Sequence, residues 1–457
     1  MSARVSGYGP RFVIPVLIGP VLNPINTTMI SVALVPIARD LNVDSSVVIW
    51  LVAALYLASA IAQPTMGKLA DRFGPRKIYI IGLIVVLVAA VLPMAIPGFA
   101  GVLIARVLLG IGTSAAYPSA MALIRDQSLR LGQTTPPALL SALSIAGLAT
   151  AAVGPPLGGA LIALFGWQSI FLVNLPLAGA ALVMSILWLP SDSTRIAPAK
   201  QGSAWSSIDP VGLVLFGGTI AALLVFLLDL RSGYWWLLVV GIVLAAALVW
   251  WSLRRPTPFL DLRMLASNGP LTRTYLRLFL LYVASYSMVY GFSQWLQDAA
   301  GYSSGIAGLL QLPTALLAGV ASFVIARTTA LRLPLIVAGL FPLAGGLILA
   351  VITSNASIGL LLAIASLFGV AQGLASVSNQ AALYRQAPGN QIGVAAGLSR
   401  TSIYLGAIVS SSVIGIVFGQ SPTDANIHVI GWVIAVATAG AALLAVFDRS
   451  LRKPVTG

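Results

Sequence analysis

Polar side chains recur at helical spacing inside long apolar stretches of the chain. Asn23, Thr27 and Ser31 follow one another at four-residue intervals, and Asn26 flanks the helical face that they share. Similar stripes are Tyr56, Ser59 and Gln63; Tyr282, Tyr286, Tyr290 and Gln294; and Gln372, Ser376, Asn379 and Gln380. Polar groups at membrane depth are costly and generally face a cavity or a partner. The stripes therefore predict either a central cavity that binds a solute or hydrogen bonds that only join helices.

Two arginines also fall inside apolar stretches. An arginine at membrane depth is costly unless it is paired or hydrated, so Arg106 is predicted to have a direct functional role or a fixed carbonyl partner. Arg400 lies nearer one membrane surface, to which a long side chain can extend its charge. The candidate binding residues are Asn23, Asn26, Thr27, Gln63, Arg106, Tyr286, Tyr290, Gln294, Gln372 and Asn379.

Catalytic and metal-binding side chains are scarce in this sequence. It has no cysteine, all 11 acidic residues are aspartates, and the lone histidine is His428. The usual pairs of nucleophile and base, and the usual sets of metal ligands, are therefore missing. We expect no enzymatic activity, no metal and no cofactor.

The elements that must position these residues are membrane-spanning helices. Of the 457 residues, 59% are hydrophobic and 8% are charged, against about 25% charged in a soluble domain. The apolar stretches approach the ~20 residues that cross a bilayer as a helix. Most of the basic residues behind the net charge of +14 fall in alternate loops. This bias predicts cytoplasmic N- and C-termini and excludes a nucleic-acid partner.

The order of the stretches predicts an all-α integral membrane protein with about fourteen helices. Polar connections divide it into two six-helix bundles with two additional transmembrane helices between them. The predicted segments are an N-terminal bundle (11–189), a cytoplasmic linker (190–208), two inserted helices (209–252), a cytoplasmic connection (253–274) and a C-terminal bundle (275–447).

Two small-residue motifs are candidate gating elements. The loop after the second stretch has glycines, which permit a tight turn, and Asp71 among four basic residues, with which it can form reversible ion pairs. The fifth stretch combines glycines that allow close helix packing with a proline that bends the helix. The alternatives are a merely solvated loop and simple helix packing. The candidate gating residues are Gly67, Asp71, Arg72, Gly74, Arg76, Gly154, Pro155, Gly158 and Gly159.

These motifs resemble those of the major facilitator superfamily. The run from Gly67 to Lys77 is similar to its signature between helices two and three, and the run from Arg106 to Gly110 to its intramembrane arginine motif. Gly154 to Gly159 resembles its antiporter motif, and Gln294 to Ser303 resembles the fourteen-helix drug:proton antiporter branch. The resemblance implies a major facilitator fold, with solute binding between the two bundles.

One position departs from that branch. Asn26 stands where the resembled proteins carry an aspartate in the first helix, and no aspartate falls in the middle of a predicted span. A buried carboxylate would serve as a proton carrier because desolvation raises its pKa towards neutrality. The remaining candidates for a shallow carrier are Asp40, Asp126, Asp229 and Asp298. With Arg106 and Arg400 in the spans, the cavity is expected to favour a neutral or anionic solute.

Three functions remain open at this point. The first is alternating-access export of amphiphilic small molecules, as in multidrug efflux, driven by protons if a shallow aspartate suffices. The second is an uncoupled facilitator for a neutral or anionic metabolite or lipid, and the third is a transport-inactive sensor or scaffold. For each we expect a monomer in the lipid bilayer of a bacterial inner membrane.

Overall fold

The computed structural model describes residues 8–133, 137–194, 209–228, 233–256, 258–260, 262–328, 330–387 and 392–452. These residues are almost entirely helical, and no strand occurs among them. Most of the predicted linker 190–208 lies outside the described residues, as do Asp229 and Asp261.

Six helices make up the first half of the chain, and two more follow them. The first six are α1 (Pro10–Leu41), α2 (Trp50–Phe73), α3 (Pro75–Ala95), α4 (Phe99–Leu131), α5 (Pro137–Phe165) and α6 (Asn174–Trp188). Short helical turns, Ser45–Val48 and Ser169–Leu172, precede α2 and α6, and Asp192–Thr194 follows α6. The next two are α7 (Pro210–Leu228) and α8 (Trp235–Arg254).

The second half begins after the short helix Leu262–Ser267. Helix α9 runs through three segments, Gly269–Tyr286, the π-helical Ser287–Phe292 and Ser293–Asp298, and α10 has two, Ser304–Leu310 and Leu312–Ile325. The others are α11 (Arg332–Leu349), α12 (Ile358–Gln386), α13 (Ile392–Phe418) and α14 (Asp424–Phe447), with a final turn at Arg449–Arg452.

Twelve helices in the described part of the chain are long and apolar enough to cross a membrane. Two further apolar helices, at Ala149–Phe165 within α5 and at Pro210–Phe226 within α7, are shorter. Large apolar side chains such as Leu164, Val436 and Phe447 are more than two-thirds exposed, as expected of a surface that contacts lipid. The protein is thus a multi-pass membrane protein with twelve candidate spans, and the count of fourteen stays a prediction.

Both described ends of the chain lie on one side of the molecule, here called the terminal side. Near the N-terminus, the Tyr8 hydroxyl is 2.5 Å from the hydroxyl of Ser128, close to the end of α4. Beyond α14, the Asp448 carboxylate accepts a hydrogen bond of 3.1 Å from Arg273, near the start of α9. The opposite side, where α1 ends and α2 begins, is called the far side.

The buried carboxylate of Asp209 joins α7 to α8 through hydrogen bonds. Asp209 accepts hydrogen bonds from the Gly212 amide (3.1 Å), the Trp251 indole nitrogen (2.7 Å) and the Phe259 amide (2.7 Å). Three donors, one of them from α8, offset the cost of removing the charge from water. Helix α7 also contacts α2 and α13, so this pair packs beside both halves of the chain.

The absence of cysteine makes the span count and the orientation directly testable. We expect a cysteine at Tyr234, between α7 and α8, to react with a membrane-impermeant maleimide added to whole cells. A cysteine at Arg254, after α8, should react only after the membrane is opened. Both side chains are exposed. Reaction of both from the same side would contradict a membrane-spanning α8.

Candidate functional site

Five tyrosines from three helices meet between the two halves of the chain. Tyr56 of α2 lies 5.0 Å from Tyr286 and 5.9 Å from Tyr404 of α13, measured between ring centroids. The Tyr286 and Tyr290 rings stack at 5.7 Å with 7° between their planes, and Tyr282 lies 5.6 Å from Tyr286. Together these five residues form the tyrosine cluster. Two of them, Tyr286 and Tyr290, were predicted binding residues.

Hydrogen bonds join this cluster across the two halves. The Tyr56 and Tyr290 hydroxyls are 2.9 Å apart, and Tyr290 also donates to the Thr27 carbonyl oxygen at 2.6 Å. The Tyr404 hydroxyl donates to the side-chain oxygen of Gln63. Tyr290 lies in the π-helical segment of α9, and such segments are frequent at functional sites. The predicted residues Thr27 and Gln63 are therefore brought to the cluster.

Arg400 lies on the terminal side of the tyrosine cluster, one helical turn before Tyr404. Its guanidinium lies 5.6 Å from the ring centroid of Tyr117, which belongs to α4 in the other half. Four tyrosines, at positions 117, 282, 286 and 404, are close enough to interact with its charge. Its side chain is nevertheless exposed. The exposed space beside Arg400, between α4 and α13, is here called the cleft.

The two halves meet closely on the far side. Arg39 and Asp298 form an ion pair of 2.7 Å, and the Ser46 amide donates to the Gly419 carbonyl at 2.8 Å. The first pair joins α1 to the end of α9, and the second joins the turn before α2 to the end of α13. With the Tyr290 hydrogen bond to Thr27, these contacts close the far side of the cleft.

Helix α5 packs tightly against both halves through its predicted gating residues. A Cβ atom added at Gly154 would lie 1.8 Å from the Thr28 hydroxyl oxygen, and one at Gly158 3.0 Å from the Met29 carbonyl oxygen, both on α1. On its other face, a Cβ at Gly159 would lie 2.7 Å from the Ser304 carbonyl oxygen of α10. The Pro155 carbonyl approaches Gly308 in the same contact. Residues 154–159 thus let α5 fit between α1 and α10.

The predicted residues Arg106 and Asn26 lie inside the first half, next to the tyrosine cluster, since Tyr56 and Tyr290 are close enough to interact with the charge of Arg106. Arg106 is 1% exposed and donates to the carbonyl oxygens of Leu51 (2.8 Å) and Asn26 (2.9 Å). The Asn26 side chain exchanges two hydrogen bonds, of 2.6 and 2.9 Å, with Asn174 of α6. This geometry matches the carbonyl-partner alternative for Arg106 and ties α4 to α1 and α2.

Asn379 belongs to a second polar network, on the terminal side of the second half. Its side-chain oxygen accepts a hydrogen bond of 2.8 Å from Arg277, which is fully buried. Asp448 lies 4.0 Å from Arg277 and 3.1 Å from Arg273. Burial alone would raise the pKa of the Asp448 carboxyl, but hydrogen bonds from Ser450 and Arg273 outweigh it, so the pKa lies below its ordinary value.

The remaining three predicted binding residues do not join the tyrosine cluster directly. Asn23 donates to the Thr113 hydroxyl of α4 at 2.8 Å, within the first half. Gln294 is fully buried, and its amide nitrogen lies 3.3 Å from the Tyr290 carbonyl of its own helix. Gln372 is half-buried on α12, and among the described residues no hydrogen bond links it to the cluster.

The loop between α2 and α3 is bound within the first half of the chain. Asp71 pairs with Arg125 of α4 at 3.3 Å, and the Gly67 backbone lies close to Pro118 of the same helix. Gly74 has φ +104°, a conformation that favours glycine. Beyond it, the Asp192 carboxylate accepts hydrogen bonds from the backbone amides of Arg76 (3.1 Å) and Lys77 (2.9 Å) at the start of α3.

Arg76 and Arg72 are the other predicted residues of this loop. The Arg76 side chain donates to the Ile186 carbonyl oxygen at 2.6 Å, near the end of α6. The Arg72 guanidinium lies 5.7 Å from the Phe73 ring centroid. The loop therefore joins the terminal-side ends of α2, α3, α4 and α6.

The described aspartates proposed as shallow proton carriers differ in burial. Asp40 is exposed and accepts a hydrogen bond of 2.8 Å from the Trp167 indole nitrogen. Asp298 is held in the ion pair with Arg39. Asp126 is 3% exposed, lies near the terminal-side end of α4 and is 3.7 Å from Arg125. Of these three, Asp126 is the most shielded from water.

Comparison with known proteins identifies the family. Residues 16–411 match the family model of the Major Facilitator Superfamily, which is most of the chain. The chain belongs to the major facilitator superfamily. The resemblance seen in the loop and helix motifs is thereby confirmed, and the protein is a major facilitator transporter.

Its relatives include uncharacterized and drug-exporting members of the superfamily. The chain is 34% identical to the uncharacterized MFS-type transporter YwoD of Bacillus subtilis (strain 168), over 97% of each protein. It is 28% identical to the multidrug efflux pump LfrA of Mycolicibacterium smegmatis, covering 86% of this chain and 78% of LfrA. It is 27% identical to the tetracenomycin C resistance and export protein of Streptomyces glaucescens, covering 90% and 76%.

Solved structures show the same fold. A crystal structure of a POT family transporter in complex with 5-aminolevulinic acid superposes with a TM-score of 0.73, covering 97% of each chain at 13% identity. At this identity the likeness concerns the fold alone.

Several residues of the transporter's cleft were missing from the predicted binding set. Arg400 and Tyr404 share a helical face, so their spacing was a usable signal, and Tyr56 belonged to a recognised stripe. Tyr117 had no such signal, because it lies on α4 in the other half and meets Arg400 of α13 only in the folded protein. Arg277 was not among the predicted binding residues, and it is fully buried within α9. It is buried because Asn379 and Thr274 supply hydrogen-bond acceptors there.

The Arg106 contacts predict a cost in stability. Arg106→Lys should destabilise the folded transporter by about 1–3 kcal/mol, because an ammonium group cannot reproduce the guanidinium's two directed hydrogen bonds. Thermal unfolding in detergent would measure this, with Arg327→Lys, an exposed arginine beside Phe323, as the matched control. Unchanged stability together with weaker solute binding would instead place Arg106 in contact with solute.

The α5–α10 contact predicts a conformational shift. Gly159→Ala should separate the halves on the far side, because overpacking of this kind costs about 1–3 kcal/mol. Gly179→Ala is the control, since a Cβ there meets nothing within 4 Å. Electron–electron distances between spin labels at Leu164 and Val351 should lengthen in Gly159→Ala only. Identical distance distributions in both variants would contradict a far-side closure held by α5.

Proposed function

We propose that this transporter exports amphiphilic small molecules across a bacterial inner membrane by alternating access. The observation that carries the proposal is the tyrosine cluster, which joins both halves of the chain beside an open cleft. Tyrosine combines a large apolar ring with a hydroxyl group, so a cluster of five suits solutes that are partly apolar and partly polar.

The arrangement of contacts supports a rocking motion. The far side is held by few polar contacts, mainly the Arg39–Asp298 ion pair and the Tyr290–Thr27 hydrogen bond. The α5–α10 interface is a close packing of small residues, which can separate without leaving buried charges. Opening on the far side would break these contacts while the loop 67–77 moves with the first half. Solute bound at the tyrosine cluster would then be released on the opposite side.

Relatives favour export as the direction. LfrA is described as a multidrug efflux pump and the Streptomyces relative as a resistance and export protein. The distribution of basic residues favours cytoplasmic termini, so that the open terminal side would take solute from the cytoplasm. We propose that the transporter acts as a monomer.

Proton coupling is proposed through Asp126. It is a shielded carboxylate near the terminal-side end of α4, the helix whose Tyr117 approaches Arg400 of the other half. The uncoupled facilitator for a neutral or anionic metabolite or lipid is the second candidate, favoured by the Asn26–Asn174 pair. These amides occupy a depth at which the resembled antiporters carry an aspartate, and an amide does not titrate. A transport-inactive sensor or scaffold is less favoured, since both gating motifs are present and closely packed.

Transport by purified protein in liposomes tests the proposal. A fluorescent amphiphile of low passive permeability is added to vesicles with and without an imposed pH gradient. We expect accumulation that requires the gradient and that Asp126→Asn abolishes, because the amide cannot carry a proton.

Two controls accompany this measurement. Protein-free vesicles report passive entry, and Gly179→Ala reports the effect of a substitution outside the proposed machinery. Equilibration that ignores the gradient would support the facilitator instead. No protein-dependent movement of any amphiphile would leave only the sensor or scaffold.

A further inference from the structure

Arg400 is an exposed charged side chain between the two halves of the molecule, and it has no charged partner among the described residues. Its described contact is with the Tyr117 ring, and its guanidinium forms no described hydrogen bond or ion pair. Arg400 sits about 12 Å along α13 from the helix's first residue, at a rise of about 1.5 Å per residue. The apolar span of this helix begins at Leu398, so the charge lies at the terminal-side end of the span.

The two most deeply buried arginines, Arg106 and Arg277, have hydrogen-bond acceptors. Arg106 is held by two carbonyl oxygens, and Arg277 by the Asn379 and Thr274 oxygens. An arginine at membrane depth is retained at a cost unless it is paired or serves a function. Arg400 differs from the other two in being exposed to the cleft, so its donors are available to a solute.

The surroundings of Arg400 define the remaining part of such a solute. The Tyr117 ring of the first half lies 5.6 Å from the guanidinium, measured to the ring centroid. Tyr282, Tyr286 and Tyr404 of the second half are close enough to interact with its charge. Among the described residues, Arg400 forms no ion pair with an acidic side chain. The cleft at this point therefore combines one uncompensated positive charge with apolar aromatic faces and hydroxyl groups.

We propose that Arg400 binds the anionic head group of the transported solute, and that this solute is an aromatic or aliphatic amphiphile carrying a carboxylate. The guanidinium supplies two parallel N–H donors that match a carboxylate, while the tyrosine rings pack against the apolar portion. The inference rests on the proposed function for the statement that the solute is transported. Binding at Arg400 is a separate property of the same cleft.

Because Arg400 contacts both halves, solute binding at Arg400 can also influence how the halves are arranged during transport. The guanidinium belongs to α13 and its aromatic partner Tyr117 to α4, so a solute bound between them touches both moving parts. A solute that binds one arrangement of the halves better than the other shifts their equilibrium. Binding of the anionic group at Arg400 would therefore affect the rocking of the two halves as well as the affinity for the solute.

Equilibrium binding to purified protein in neutral detergent tests the assignment. Three ligands share one naphthylalkyl tail and end in a carboxylate, a carboxamide or a trimethylammonium group. We expect wild-type protein to bind the carboxylate most tightly and the trimethylammonium most weakly. Arg400→Gln should weaken carboxylate binding about tenfold or more, the loss expected for a hydrogen bond to a charged group. It should weaken carboxamide binding by a smaller factor, because that ligand carries no charge and offers one acceptor oxygen where the carboxylate offers two.

Two further variants separate charge from folding. Arg400→Lys should restore part of the carboxylate affinity, because it keeps the charge but loses the planar pair of donors. Arg327→Gln is the matched control, since Arg327 also lies over an aromatic ring, Phe323, but on an exposed surface. Carboxylate affinity that is equal in wild type and Arg400→Gln, or tighter binding of the trimethylammonium ligand by wild type, would overturn the proposal.

Competition with phosphatidylglycerol distinguishes a free solute from a lipid with the same anionic chemistry. Displacement of the carboxylate ligand by the lipid at comparable concentration would assign the site to a lipid head group and overturn the assignment to a small solute. If the lipid does not displace the carboxylate ligand, the assignment to a small solute is supported.

The outcomes also separate this inference from the proposed function. Arg400-dependent carboxylate binding without transport in liposomes would reject the proposed function alone. Transport of amphiphiles that does not depend on Arg400 would reject only this inference.

Discussion

A charge buried among apolar helices needs hydrogen-bond partners from the protein itself. In the first half of this transporter, Arg106 meets that need by binding to the backbone of two neighbouring helices. Its guanidinium donates to backbone carbonyls of α1 and α2, so three helices are held at one depth. The Asn26–Asn174 amide pair adds α6 at the same level. Because lipid offers no competing water, moving any of these helices separately would leave polar groups unsatisfied. The first half is therefore expected to move as a unit.

Small residues then determine where that unit can separate from the other half. Gly154 and Gly158 seat α5 against α1, whereas Gly159 and the Pro155 carbonyl seat it against α10. The same helix is thus packed equally closely within its own half and across the interface. Within the first half, α1, α2, α4 and α6 are also tied by buried hydrogen bonds, whereas the α5–α10 contact is a packing of small residues. Close packing without buried hydrogen bonds is the less costly contact to break in a membrane.

Several aspartates of this protein lie at helix ends, where their carboxylates accept hydrogen bonds from neighbouring segments. Asp209 joins α7 to α8, Asp424 receives the Trp295 indole and the Ser354 amide, and Asp192 receives the first amides of α3. A carboxylate engaged by several donors is stabilised in its charged form and is a poor proton carrier. With the acids engaged at the ends, the cleft is left with a positive charge, and its selectivity depends on Arg400 and the tyrosines around it.

The sequence by itself determined the membrane class, the helical fold and the family, because these follow from apolar length, helical periodicity and local motifs. It also predicted Tyr286, Tyr290 and Gln63 in the cleft, since a four-residue stripe shows which residues share a face. A stripe cannot show which neighbour that face meets. Only the tertiary structure decided that Asn26 and Arg106 point into one half, that Asn379 meets Arg277, and that Tyr117 and Arg400 approach each other. Each of these contacts joins residues far apart in the chain, and their partners depend on how whole helices pack.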